Sequence, residues 1–354
     1  MPESKPPESG AKARMKKNLF VGALCAMYFS VGFICCGADN PEKGAGPHSF
    51  VFLSNTLNNT YQSTMADTLK RLATSNGDSY VALDPDYDVS KQVNQMLDVA
   101  NKHVSLVFLI PVDSGGVHAG LDALHQAGIP VINIDTAVVA GDVGLVQSVV
   151  ATDCFMAGKL DGEQMVKNHA DGGKIAILDF PENQSCIDRV QGFLAGLGGS
   201  RSKFEIVAQQ DGAAALDKSL PIAQDIIQAH PDLKAFFAIN DPSAMGAIAA
   251  IQATHRSGIE VYSVDGSPDG KAAIVEGTMT ADAAQVPIKE AEVAFNQGLE
   301  LLKTGKVAHE SSKIPEADVS YYTGQWGNNI DKATYLPSYL ITKEMAQKDA
   351  GKWQ

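Results

Sequence analysis

The sequence predicts an α/β protein whose strands are parallel and are shared between two sheets, and three observations carry that prediction. Short runs rich in β-branched and aromatic residues alternate with segments of helical spacing from Ser49 to Val264. About ten such runs occur, more than one open sheet accommodates comfortably, in a chain of 354 residues that is long enough for two cores. Three runs end abruptly on a polar residue: Asp135 in VINIDT, Asn240 in AFFAIND and Asp265 in VYSVDGSPDG. The carboxyl edge of an open α/β sheet is where ligands bind, because its loops form a crevice lined by helix N-termini. The three side chains therefore point to one polar cleft, and the competing reading makes them only helix caps.

Taken in order, residues 50–53 read as a strand and 60–74 as a helix with Met65, Leu69 and Leu72 on one face. Residues 80–83 form the next strand, and 90–102 a helix carrying Val93, Met96, Leu97 and Val99. Residues 106–110 are apolar throughout, as expected of a strand covered on both faces of a parallel sheet. A helix over 117–127 and a strand over 130–134 follow. After a loop at 138–142, strands are expected over 144–151, 174–178, 204–208, 233–238 and 260–264. Helices over 154–168, 186–197, 217–229 and 242–253 separate them. Gly266, Ser267 and Pro268 turn the last strand into another helix. A long helix over 287–303 ends at Gly305, and the aromatic stretch 314–354, without regular period, is expected to wrap the second lobe.

Composition narrows the function. With 45% hydrophobic and 19% charged residues the chain is globular, and a net charge of -13 argues against nucleic acid, whose phosphates require basic patches. Met15, Lys16 and Lys17 precede an apolar run over 19–34 that is short for a membrane span, the pattern of an export signal. Residues 1–36 are the leader and 37–46 a polar tether. The leader's end resembles a lipoprotein processing site, so either lipidation of Cys36 with anchoring to the membrane or simple cleavage is expected. Cys154 and Cys186 are the only cysteines beyond the leader, too few for a disulfide scaffold and wrongly spaced for zinc. A bridge between them and two separate buried thiols both remain open.

Motifs for catalysis or cofactors are absent. No G-x-G-x-x-G follows a strand, and neither a P-loop, a G-x-S-x-G elbow nor an H-E-x-x-H pair occurs. Asp84 to Asp88 imitates a calcium loop but places Val89 and Gln95 where glycine and the bidentate glutamate belong. No cofactor and no enzyme activity are implied.

The combination of SNTLNNTYQ (54–62), PVINIDT (130–136), HPDLKAFFAINDPSAMGAIAA (230–250), SVDGSPDG (263–270) and ADAAQVP (281–287) resembles the periplasmic ribose-type sugar-binding proteins, receptors of bacterial ABC importers. The likeness runs unbroken from Ser49 to Lys306. It implies two Rossmann-like lobes joined by a three-stranded hinge, the first comprising 47–152 and 286–312, the second 153–285 and 313–354. It carries sugar contacts onto Asn59, Asp135, Asn240, Asp265 and Gln285. Amides and carboxylates suit this role because a vicinal diol presents donors and acceptors in a fixed fork. The sequence departs from the pattern at Thr136, where an arginine is usual, at Ile187, where a second arginine is usual, and at Tyr61, Gln62 and Ala214, which stand for stacking phenylalanines. Tyr61, Gln62 and Thr136 are retained as contacts, with Phe180 a further aromatic wall and Arg189 a further guanidinium donor. The ligand expected is a neutral sugar or polyol other than ribose. The resemblance implies a monomeric receptor serving a membrane permease, or a sensory form serving a chemoreceptor or kinase. A repressor core would need a helix-turn-helix head where the leader stands, and a glycosidase would have to work through Asp135 and Asp265.

Overall fold

The computed structural model describes residues 47–307, 316–349 and 351–353. The leader, the tether and Cys36 lie outside the described residues. Two wholly parallel sheets are present. The first comprises β1 (Ser49–Leu53), β2 (Ser79–Leu83), β3 (Leu106–Leu109), β4 (Val131–Ile134), β5 (Ser148–Thr152) and β11 (Ala333–Leu336), in the order β11-β5-β4-β3-β1-β2. The second comprises β6 (Gly173–Asp179), β7 (Phe204–Asp211), β8 (Leu233–Ala238), β9 (Glu260–Asp265) and β10 (Ala281–Ala284), in the order β10-β9-β8-β6-β7. Helices α1 (Thr60–Ser75), α2 (Val89–Ala100) and α3 (His118–Gln126) connect strands of the first sheet. Helices α4 (Cys154–Asn168), α5 (Gln184–Gly196), α6 (Leu216–Ala229), α7 (Asp241–Ala253) and α8 (Pro268–Glu276) serve the second. They are followed by α9 (Pro287–Thr304), α10 (Glu316–Trp326) and α11 (Lys343–Lys348).

Central strands such as LVFL and VINI are buried at every position because helices cover both faces. On one face of the first sheet Phe50, Phe52 and Phe108 meet Met65 and Leu69 of α1 and Phe295 of α9. On the other, Val51, Leu53 and Leu109 meet Met96, Leu121 and Leu124 of α2 and α3. In the second sheet Ile175, Ile177 and Phe237 pack on Ala157 and Phe193, and Phe236 and Leu178 pack on Ile227, Ala247 and Ile274. Each large apolar side chain so buried contributes about 1.5–3 kcal/mol. The chain passes between the sheets three times, from β5 into α4, from β10 into α9, and from β11 to Leu340, which bridges Ala283.

Helices α4 and α5 lie unusually close. A Cβ at Gly192 would stand 1.9 Å from the Phe155 carbonyl oxygen, and one at Gly158 1.9 Å from that of Arg189. Only glycine permits backbones this near, so Gly158, Gly162, Gly192 and Gly196 set the distance at which Arg189 is presented.

Two expectations need correction. Residues 140–145 form a short 3-10 helix and the strand begins only at Ser148, because the apolar run from Gly144 is used to turn the chain before it enters the sheet. The aromatic tail is structured, and only part of it joins the second sheet's layer. β11 pairs with β5 in the first sheet, and Tyr322, Trp326 and Tyr335 enter that sheet's core, whereas α11 packs on α8. The assignment of 313–354 to the second lobe therefore does not describe 321–336. Side-chain hydrogen bonds explain the strand's placement, since Thr334 accepts from Gln297 (3.1 Å) and Trp326 Nε1 donates to Tyr335 (2.6 Å).

Candidate ligand-binding site

The carboxyl ends of the two sheets face one another across a small polar cavity. All ten side chains singled out in the sequence line it. Asn59, Tyr61, Gln62, Asp135 and Thr136 come from the first sheet's loops, Phe180, Arg189, Asn240 and Asp265 from the second's, and Gln285 from the passage between β10 and α9.

Local structure explains why these residues point inward. Asp135 and Asp265 have φ of +60° and +154°, conformations that cost a non-glycine residue about 1–3 kcal/mol and persist where surrounding structure enforces them. Neither is a helix cap. Asn240 is one, accepting from Ser243 N at 3.0 Å, and Asn59 caps α1 by accepting from Tyr61 N at 2.8 Å. The cap reading and the cleft reading are thus both true of the asparagines, since a cap residue stands at the helix N-terminus that faces the cleft.

The second sheet's share is held by charge. Arg189 Nη1 donates to the Ile239 carbonyl (2.6 Å) and to Asp265 Oδ1 (3.4 Å), while its Nε has no partner among the described residues. Asp265 Oδ1 also accepts from Gln285 Nε2 (2.7 Å), and Oδ2 from Asp241 N (3.2 Å). Burial pushes the Asp265 carboxyl up, against the opposing pull of Arg189 and Gln285. Asp135 is pushed up to about 6, chiefly by burial and further by Asp265, with Arg189 and the Thr136 hydroxyl opposing. Its Oδ2 accepts from Thr136 Oγ1 at 3.2 Å.

Tyr61 forms one wall, with its hydroxyl donating to Glu290 Oε1 at 3.0 Å. The same oxygen accepts from Thr152 N (2.6 Å) at the end of β5, so the wall is tied to a passage between the sheets. Burial, and to a smaller extent Asp135, raises Glu290 to about 8, against the hydrogen bonds from Thr152 and Tyr61. Phe180 supplies a second wall, and Gln62 Oε1 is buried with no partner in the described structure.

Sequence reasoning missed Asn55, Tyr87, Asn183, Ser185 and Cys186, which also line the cavity. Only Asn183 had a legible signal, as the cap residue before α5. It matters because Thr136 Oγ1, from the first sheet, lies 3.2 Å from Asn183 Oδ1 and 3.3 Å from Ser185 Oγ, across the cleft. Cys154 and Cys186 are both free, so the bridge considered from sequence does not form. Among the described residues no cluster of His, Cys, Asp and Glu could hold a metal, and no helix is long and apolar enough to cross a membrane.

Two α/β lobes with a polar cavity between their carboxyl edges define the class of two-lobed periplasmic binding proteins. The chain belongs to that family, whose periplasmic binding protein domain model matches residues 50–306. It is similar to the ribose import binding protein of Escherichia coli K12, with 30% identity over 278 residues, 78% of this chain and 92% of that protein. The D-ribose/D-allose-binding protein of Pseudomonas aeruginosa is 26% identical over 297 residues, 81% and 91% of the two chains. Among solved structures, an ABC transporter solute binding protein from Mycobacterium smegmatis with bound glycerol superimposes with TM-score 0.74 at 27% identity, covering 87% and 98%. The Caulobacter myo-inositol binding protein, at 24% identity with TM-score 0.74 over 86% and 98%, shares the fold. These relatives are binding proteins, not enzymes.

Proposed function

We propose that this protein is an exported receptor that encloses a neutral sugar or polyol between its lobes and delivers it to an ABC-type permease in the membrane. The observation that carries the reading is the convergence of amide, carboxylate and guanidinium groups from two separate sheets on one cavity. Contacts available from both lobes only when they are shut make ligand binding a shift of population toward the closed form. Asp135 and Asp265 against a single buried Arg189 disfavour an anionic guest, and Tyr61 and Phe180 offer apolar faces to a ring. A missing hydroxyl strands a buried polar group at a cost of about 1–3 kcal/mol, which is the source of selectivity. The lobes move about the three passages between the sheets, and the basic and apolar leader supports a periplasmic location.

A thermal-shift panel of D-ribose, D-allose, myo-inositol, other pentoses and hexoses, and linear polyols tests the reading, because a ligand of the folded state alone raises the melting temperature. No shift at millimolar concentration of any member would defeat it. Affinity for the best ligand is expected to fall as pH drops through about 6, because Asp135 then gains a proton and loses acceptor capacity for a ligand hydroxyl. Calorimetric titrations from pH 5 to 8 check this, and Asp135→Asn should flatten the profile while binding more weakly.

A further inference from the structure

Trp353 lies at the end of the described chain, yet it packs against Tyr61, which lines the cavity. Its ring meets that of Tyr61 edge-on, with centroids 5.3 Å apart and an interplanar angle of 79°. It packs against the first lobe's aromatic core, alongside the cluster that holds Tyr61, Met65 and Phe295. The backbone leading to it belongs to the other lobe. Ile341 and Ala346 are buried in the second sheet's core, and α11 packs on α8. Lys352 N donates to the Asp349 carbonyl (3.1 Å), and the Lys352 carbonyl accepts from Lys271 Nζ (2.7 Å), a lysine whose residue is fully buried. A lysine this deep, directed at a main-chain oxygen, holds the tail firmly against α8. Beyond that anchor the chain reaches over to α1. Trp353 also lines a second cavity together with Asn59 and Thr60 of the first lobe and Pro242, Met245 and Ser267 of the second.

We propose that residues 351–353 form a strap and that Trp353 is a positioning residue, latching the closed cleft by seating an aromatic ring carried by the second lobe against the Tyr61 wall of the first. Opening the cleft requires this ring to leave Tyr61 and expose apolar surface from both partners. Together with the Thr136, Asn183 and Ser185 hydroxyl and amide contacts across the cleft, it gives closure an intrinsic component that exists without ligand. The strap therefore slows release of whatever is enclosed, and it sets how often the empty cleft opens. The inference rests on the receptor reading, in which the lobes separate.

Cys186 provides the test, since it lines the cavity, is buried, and can meet a thiol reagent only when the cleft opens. Iodoacetamide labelling of the full chain, resolved by peptide mass spectrometry, is compared for wild type, Trp353→Ala and Trp353→Phe without ligand. Loss of an aromatic contact of this kind predicts about tenfold faster Cys186 labelling in Trp353→Ala, with Trp353→Phe close to wild type. Equal rates in all three proteins overturn the strap. So does parallel acceleration at Cys154, which is buried outside the cavity lining, because that pattern reports general loosening. Protection of wild-type Cys186 by a panel sugar tests the receptor reading separately: labelling that no sugar slows counts against that reading, and the comparison of variants still decides the strap.

Discussion

Gly192→Ala is expected to destabilise the protein by about 3 kcal/mol and to weaken ligand binding at the same time. The new methyl group would fall 1.9 Å from the Phe155 carbonyl oxygen, an atom that cannot rotate away, so α4 and α5 must separate. Arg189 lies one turn earlier on α5 and is carried out of register with Asp265. Urea unfolding and ligand titration of the same sample measure both effects. Gly324→Ala is the contrasting case, since Gly324 lies in α10 with nothing within 4 Å of an added Cβ. There the substitution should stabilise by about 0.5–1 kcal/mol through the lower entropy of the unfolded chain.

Arg189→Met should cost about 3–5 kcal/mol, because it removes one partner of a buried ion pair and leaves Asp265 without its cation. Arg189 also opposes the burial that raises Asp135 and Asp265, so both carboxyls shift further toward the neutral form in the variant. Affinity for the sugar should fall by about a hundredfold or more, since a charge-assisted site becomes a neutral one. Asp265→Ala belongs with this prediction. The carboxylate already accepts from Arg189, Gln285 and the Asp241 amide, so its removal disturbs the fold as well as the cleft. The variant should lose binding and stability together. A double-mutant cycle with Asp265→Asn separates the pair energy from the ligand effect, and the double variant should be less destabilised than the sum of the singles. Additivity within about 0.5 kcal/mol would show that the two groups do not interact.

Much of this site could be read without coordinates, because strand-end polar residues in a parallel α/β chain share one edge by construction. Asp135, Asn240 and Asp265 are placed in that way, and of the other lining residues Asn59 and Gln285 come from the family resemblance. Arg189 illustrates what the sequence left open. It stands two positions from where the ribose-type pattern puts an arginine, and on a helix two positions turn a side chain by about 200°. Its inward aim depends on how α5 is pressed against α4, and nothing in residues 186–190 encodes that pressure. Asn183, Ser185 and Cys186 escaped notice for a related reason, since a cap asparagine looks the same whether it faces solvent or an opposing lobe.

Local order settled the alternation of strand and helix, the burial of runs such as LVFL and the position of polar groups at strand ends, because side-chain periodicity and caps act over a few residues. Tertiary structure alone decided that Ala333–Leu336 crosses to the first sheet, that α4 and α5 touch through glycines, and that Trp353 reaches Tyr61. These contacts join residues tens to hundreds of positions apart, where the energy comes from shape and hydrogen bonding between surfaces that do not exist until the elements carrying them have folded.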